Sequence, residues 1–296
     1  MIAWLVEPLQ FDFMQRALLV AIVAGTVGAL LSCWLTLVGW SLMGDAVSHA
    51  VLPGVVLSYI VGIPFGIGAF VFGAGAVALI GVVRRTSRVK EDAAIGVVFT
   101  GLFALGLVLI STTPSDTDLG HILFGNLLGL SGPDVAQILL LGVLTVVVVL
   151  VKHRDFTLVA FDRTHAHAVG IDPRRTEAIL LGLLALAVVV ALQAVGIVLV
   201  VAVLIIPGAT AYLLTDRMER MLLIAVLVAV GSAVAGTYLS FHLDVSTGGS
   251  VVVCLAVAFT LAYLLGPRHG LLARLVGPPQ RATVAGSGPA DDGGAR

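Results

Sequence analysis

Residues 135–154 read VAQILLLGVLTVVVVLVKHR, and this stretch decides what kind of protein the chain is. From Val135 to Val151 no side chain ionises. A helix over that stretch, tilted or locally broken, matches the roughly 30 Å hydrocarbon core of a bilayer. The run then stops at Lys152, His153 and Arg154, the basic flank that short cytoplasmic loops retain. Similar apolar stretches occupy about 16–39, 45–62, 65–83, 93–111, 177–193, 195–214, 219–240 and 249–266. Between them stand Gly62-Ile63-Pro64, Thr113-Pro114-Ser115, Gly132-Pro133-Asp134 and Gly266-Pro267, all strong turn signals. The reading is an all-α polytopic membrane protein with about nine transmembrane helices, within a range of 8–10. Gly120 to Leu130, GHILFGNLLGL, is apolar but too short to cross. It reads as a re-entrant half-helix, a form allowed where it packs inside protein or lines a cavity.

Composition agrees. The chain is 59% hydrophobic and 11% charged, against about a quarter charged in soluble domains. Cys33 and Cys254 both lie in apolar stretches, which excludes a disulfide scaffold and a cysteine-based metal cluster. With 16 basic and 17 acidic residues, nothing points to a nucleic-acid partner. No phosphate-binding Gly-Lys-Ser/Thr loop, His-Glu-x-x-His or Gly-x-Ser-x-Gly motif occurs, so the chain does not read as an enzyme.

The basic residues also orient the chain. Arg84, Arg85, Arg88 and Lys90 mark one inner loop, the segment 152–176 a second, and Arg217 with Arg220 a third. Arg268 and Arg274 put the C-terminus in the cytoplasm, while 111–118 and 241–246 contain Asp without Lys or Arg and fall outside. The expected organisation is an outer N-terminal segment over 1–15 with no removable signal peptide, a transmembrane domain over 16–268, and a cytoplasmic, largely disordered tail over 269–296.

Asp45 and His49 are the residues most suggestive of chemistry. At i and i+4 on a helix they share a face, so a carboxylate oxygen and an imidazole nitrogen can hold one divalent cation. The competing reading makes Asp45 a helix cap and satisfies His49 with a nearby carbonyl. Oxygen and nitrogen donors suit Mn(II), Fe(II) or Zn(II). Asp118, His121 and Asn126 form either an outer gate for a cation or a capped half-helix. His242 and Asp244 fit a solvated outer loop, and His165 and His167 sit among basic residues that disfavour a metal. The segment 152–176 reads as either a docking element or a solvated basic loop.

Several ordered motifs resemble the membrane permeases of ATP-binding-cassette importers for manganese, zinc and iron. They are 42–54 (LMGDAVSHAVLPG), 91–96 (EDAAIG), 117–126 (TDLGHILFGN), 191–196 (ALQAVG) leading into 206–211 (IPGATA), and 243–248 (LDVSTG). The resemblance implies a type II importer permease fold, a dimer of two permease copies, a separate cytoplasmic ATPase that binds the ATP, and an extracytoplasmic metal-binding receptor. It implies a cytoplasmic-membrane location, no permanently bound cofactor, and Asp45 and His49 on the translocation path. Phe161, Asp162, Ala166, Gly170 and Ile171 match the family's ATPase-coupling segment, and Ile206 departs from the threonine many relatives carry. The wording of 49–54 and 121–126 is most like manganese-type members, with zinc and then iron as alternatives. A stand-alone secondary metal/proton transporter is the rival class; it predicts inverted repeats, and none is evident. A non-transporting scaffold is a third reading.

Overall fold

The computed structural model describes residues 7–113, 132–266 and 271, and the regular structure among them is helical. After a short 3-10 turn at Glu7–Gln10 come α1 (Asp12–Val38), α2 (Ser41–Ala50), α3 (Leu52–Val61), α4 (Phe65–Thr86), α5 (Glu91–Thr112), α6 (Gly132–Phe161) and α7 (Arg163–Ala168). Helical backbone over Pro173–Leu214 forms two arms, α8 (Pro173–Leu192) and α9 (Leu199–Leu214). The final two helices are α10 (Met218–Leu243) and α11 (Thr247–Leu265). Eight segments are long and apolar enough to cross a bilayer, α2 and α3 together making one, and α9 is a shorter ninth. The expectation of about nine spans therefore stands among the described residues.

Sequence sets the boundaries of these helices. Asp172 caps α8, its Oδ1 accepting from the Arg174 amide at 2.9 Å, and Pro173 follows in the first turn, where a missing N–H costs nothing. Gly39 and Gly62 end α1 and α3 at φ 79° and 77°, a backbone region that other residues enter at a cost. The second span is broken between α2 and α3 because Pro53 has no N–H to return to the His49 carbonyl four residues back.

Between α8 and α9 the chain reverses. Thr176 and Leu180 lie near Val38, whereas Ala191 lies beside Ala21 and Ala24, so α8 runs antiparallel to α1. A Cβ at Gly28 would overlap Val203, and one at Gly208 would overlap the Ser32 carbonyl, so α9 runs parallel to α1. The turn is made at Gly196, with φ 77° and ψ 171°. Because of this reversal, Arg217 shares one end of the bundle with Arg84, Arg85, Arg174 and Arg175; a continuous helix would send it to the other.

The bundle is organised around α1. Its most apolar window is 78% buried, against 22% for α5 and for α11. Hydrocarbon gives helices no hydrophobic reason to associate, so close packing of small residues must do it. Gly25 accordingly meets Ala229 on α10, Gly28 meets Val203, and Gly208 meets Ser32. Trp34 packs edge-on against Phe156 of α6 at 5.6 Å, and its indole N–H donates to Thr157 Oγ1 at 3.2 Å.

The segment 152–176 is mostly helical: α6 continues through Phe161, carrying a Lys152–Asp155 ion pair of 2.8 Å, and α7 follows. The re-entrant candidate at 120–130 lies outside the described residues.

Candidate functional site

Asp45 and His49 both lie within α2. Its N-cap is Trp40, so Asp45 is an interior residue with no free helix amide to cap. Its oxygen faces the ring: Asp45 Oδ1 stands 3.4 Å from His49 Nε2. That is longer than a well-made N–H···O bond. It is close to the spacing of two donors on one metal ion, since ligands at about 2.1 Å in tetrahedral array lie about 3.4 Å apart. The side chains keep 34% and 25% of their exposure, enough for an ion to reach them.

The depth of the pair follows from its neighbours. Val47 and Val51, on the same broken span, surround Gly73 near the middle of α4, and Ala185 in mid-α8 touches the same point. Asp45 and His49 thus sit well inside the bundle rather than at its rim.

Aromatic packing on α5 holds the imidazole. Phe99 and Phe103 each meet it edge-on with centroids 5.1 Å away. Its Nδ1 is buried and has no hydrogen-bond partner among the described residues, while its Nε2 faces Asp45 Oδ1. Metal-binding histidines usually donate the second N–H to an acceptor that fixes the ring; here two rings do the fixing. Sequence reading missed Phe99 and Phe103. The only available signal was their own i, i+4 spacing on a predicted span.

Asp45 and His49 remain a pair: among the described residues no group of three or more His, Cys, Asp or Glu side chains is placed to hold a metal. Asp118, His121 and Asn126 lie outside those residues. His165 and His167 are exposed on α7; His242 packs against Phe241 at the end of α10, and Asp244 ends that helix at φ 50°.

The residues from Phe161 to Ile171 form a compact element. Asp162 caps α7, its Oδ1 accepting from the Thr164 and His165 amides at 2.9 Å. Ala166 is fully buried, and the Ile171 amide donates to its carbonyl at 2.9 Å. Gly170, at φ 87°, ends the turn. The Asp-x-x-x-Ala-x-x-x-Gly spacing therefore encodes a cap, an anchor and a stop. Arg163 pairs with Glu177 at 2.5 Å and fastens the element to α8, while Phe161 remains 70% exposed.

Among the described residues, a bundle of eight helices long enough to cross a bilayer and a shorter apolar ninth, with a polar pair inside it and a braced element at its basic end, has the form of a membrane-embedded transport protein. A family model described as the ABC 3 transport family matches residues 10–266. The chain is 54% identical to the manganese transport system membrane protein MntB of Synechocystis over 92% of its own length and 89% of that protein's. It is 47% identical to the chelated iron transport system membrane protein YfeD of Yersinia pestis, over 93% of each. Among solved structures it is similar to PsaBC from Streptococcus pneumoniae in complex with Fab, with a TM-score of 0.85 and 38% identity over 92% of this chain and 99% of that one. The chain belongs to the ABC 3 transport family.

Proposed function

We propose that the chain is the permease subunit of an ATP-driven importer that carries a divalent transition metal, manganese before zinc or iron, with Asp45 and His49 contacting the ion in transit. The observation that carries this reading is the pair itself: two donors already spaced for one ion, deep in the bundle, in a chain more than half identical to a manganese transport protein. Iron is a specific second reading, since a relative of nearly comparable identity is named for chelated iron.

Two donors do not fill a coordination sphere. Water or a second copy of the chain supplies the rest, which keeps the ion exchangeable, as a path requires. A receptor delivers the metal at the end bearing the N-terminus. ATP is bound and hydrolysed by a separate ATPase at the basic, cytoplasmic end. Asp162, Ala166 and Gly170 shape the contact with that ATPase, and Phe161 and Ile171 supply its apolar surface. Because Arg163 and Glu177 join this element to α8, movement below is passed to a helix that crosses the bilayer.

The test is uptake into proteoliposomes holding permease, ATPase and receptor, comparing Mn(II), Zn(II) and Fe(II). ATP-dependent accumulation led by Mn(II), abolished by Asp45→Ala with His49→Ala in a correctly folded chain, is the expected result. Undiminished uptake in that variant removes the pair from the path. Uptake without the ATPase would transfer the chain to the secondary-transporter class.

A further inference from the structure

At the basic end α4 and α8 diverge and leave an open groove of about 360 Å³ between them. Ala74, Val77, Ala78 and Gly182 line its deeper part. Arg84, Arg85 and Arg174 line its mouth. From Ala74 to Arg85 the groove follows α4 for about 16 Å at 1.5 Å per residue. Glu177 also faces it, but that carboxylate is engaged by Arg163, so Arg85 and Arg174 give the mouth its positive character.

These two halves call for a ligand that is anionic at one end and apolar along the rest. A free phosphate would satisfy the arginines and leave the apolar slot unfilled. A polar peptide segment would bring unsatisfied amides against Ala74 and Val77. Basic pockets between transmembrane helices are suited to lipid phosphates, and the cytoplasmic leaflet is rich in anionic lipid. We propose that this groove binds an anionic phospholipid, its phosphate held at Arg85 and Arg174 and one acyl chain lying along Ala78, Val77 and Ala74. The lipid would brace α4 against α8, the helix that carries Glu177.

The probe is phosphatidylglycerol, added to the purified full-length chain in mild detergent and followed by thermal unfolding and native mass spectrometry. Phosphatidylglycerol should raise the melting temperature and stay bound, whereas phosphatidylcholine and inorganic phosphate should do neither. Arg85→Gln with Arg174→Gln should weaken the apparent affinity about thirtyfold, given the attraction of two arginines to an anionic lipid. Ala78→Leu, which keeps every charge and fills the slot, should also weaken it; Arg88→Gln, outside the groove, should not. Lipid-free melting of each variant serves as the folding control. Equal effects of the two lipids, an equal effect of phosphate alone, or an equal loss in Arg88→Gln would overturn the proposal. So would cross-linking from Ala78→Cys to a second copy or to the ATPase in the assembled importer, since the groove would then be covered by protein.

Discussion

Asp45 and Asp162 each precede a histidine on a helix, by four residues and by three, yet the two carboxylates are used differently. Asp162 stands just before α7, where free amides point at it, and its Oδ1 accepts from two of them. Asp45 stands inside α2, past the reach of any free amide, and its oxygen turns toward His49 instead. Place relative to the helix boundary, more than residue type, determines whether a carboxylate is consumed by the backbone or left for a cation. The spacing to histidine alone does not separate the two cases.

Substitutions can break this comparison. The largest effect is expected for Asp45→Ala with His49→Ala: metal uptake should fall a hundredfold or more, beyond the loss typical of a supporting residue, with the melting temperature nearly unchanged. Serine at position 45, a good cap but a poor ligand, should fail to restore uptake; recovery there would return Asp45 to the capping role. Next comes Phe103→Ala, which frees the His49 ring. Metal affinity measured by competition with a chelating dye should drop about tenfold, and unchanged affinity would show that the ring needs no aromatic brace. Smaller again is Asp162→Ala, which removes a cap worth about 1 kcal/mol. Metal-stimulated ATPase activity of the assembled importer should fall severalfold while metal binding persists, and here Asp162→Ser should rescue. The smallest change is Asp172→Ser, where one capping residue replaces another; circular dichroism melts should differ from the parent by a few tenths of a kcal/mol.

Much of this could be read from the chain before any coordinates. Apolar length located the spans and separated 177–193 from 195–214, but nothing in the sequence singled out Gly196 as the residue that makes the α8–α9 reversal. The basic clusters at 84–90, 152–176 and 217–220 predicted a common end, and the helix directions put them there, while Arg268 and Arg274 lie outside the described residues. Pro53 was visible, but the break it makes was not assigned to the second span, because the composition stays apolar across it. The inner end of α6 fell in the segment 152–176, which was read as a docking element or a solvated loop without a helix boundary. The apolar stretch of α6 stops at Val151, whereas ion pairing of Lys152 with Asp155 lets the helix continue beyond it. Within the site, i, i+4 spacing exposed Asp45 and His49, but not their depth or the rings of Phe99 and Phe103. Those depend on how α2 lies against α4 and α5, and no local pattern carries that information.

The burial of α1 has a consequence for biosynthesis. It is made before the other crossings, yet its small-residue faces are closed by α9 and α10. During synthesis those faces must wait in lipid until the last third of the polypeptide has entered the membrane. A ribosome stalled before Met218 would leave Cys33 and Gly25 without the helix that covers them, however well the earlier spans had inserted. Insertion of this chain can proceed span by span, but its packing is completed only late in translation.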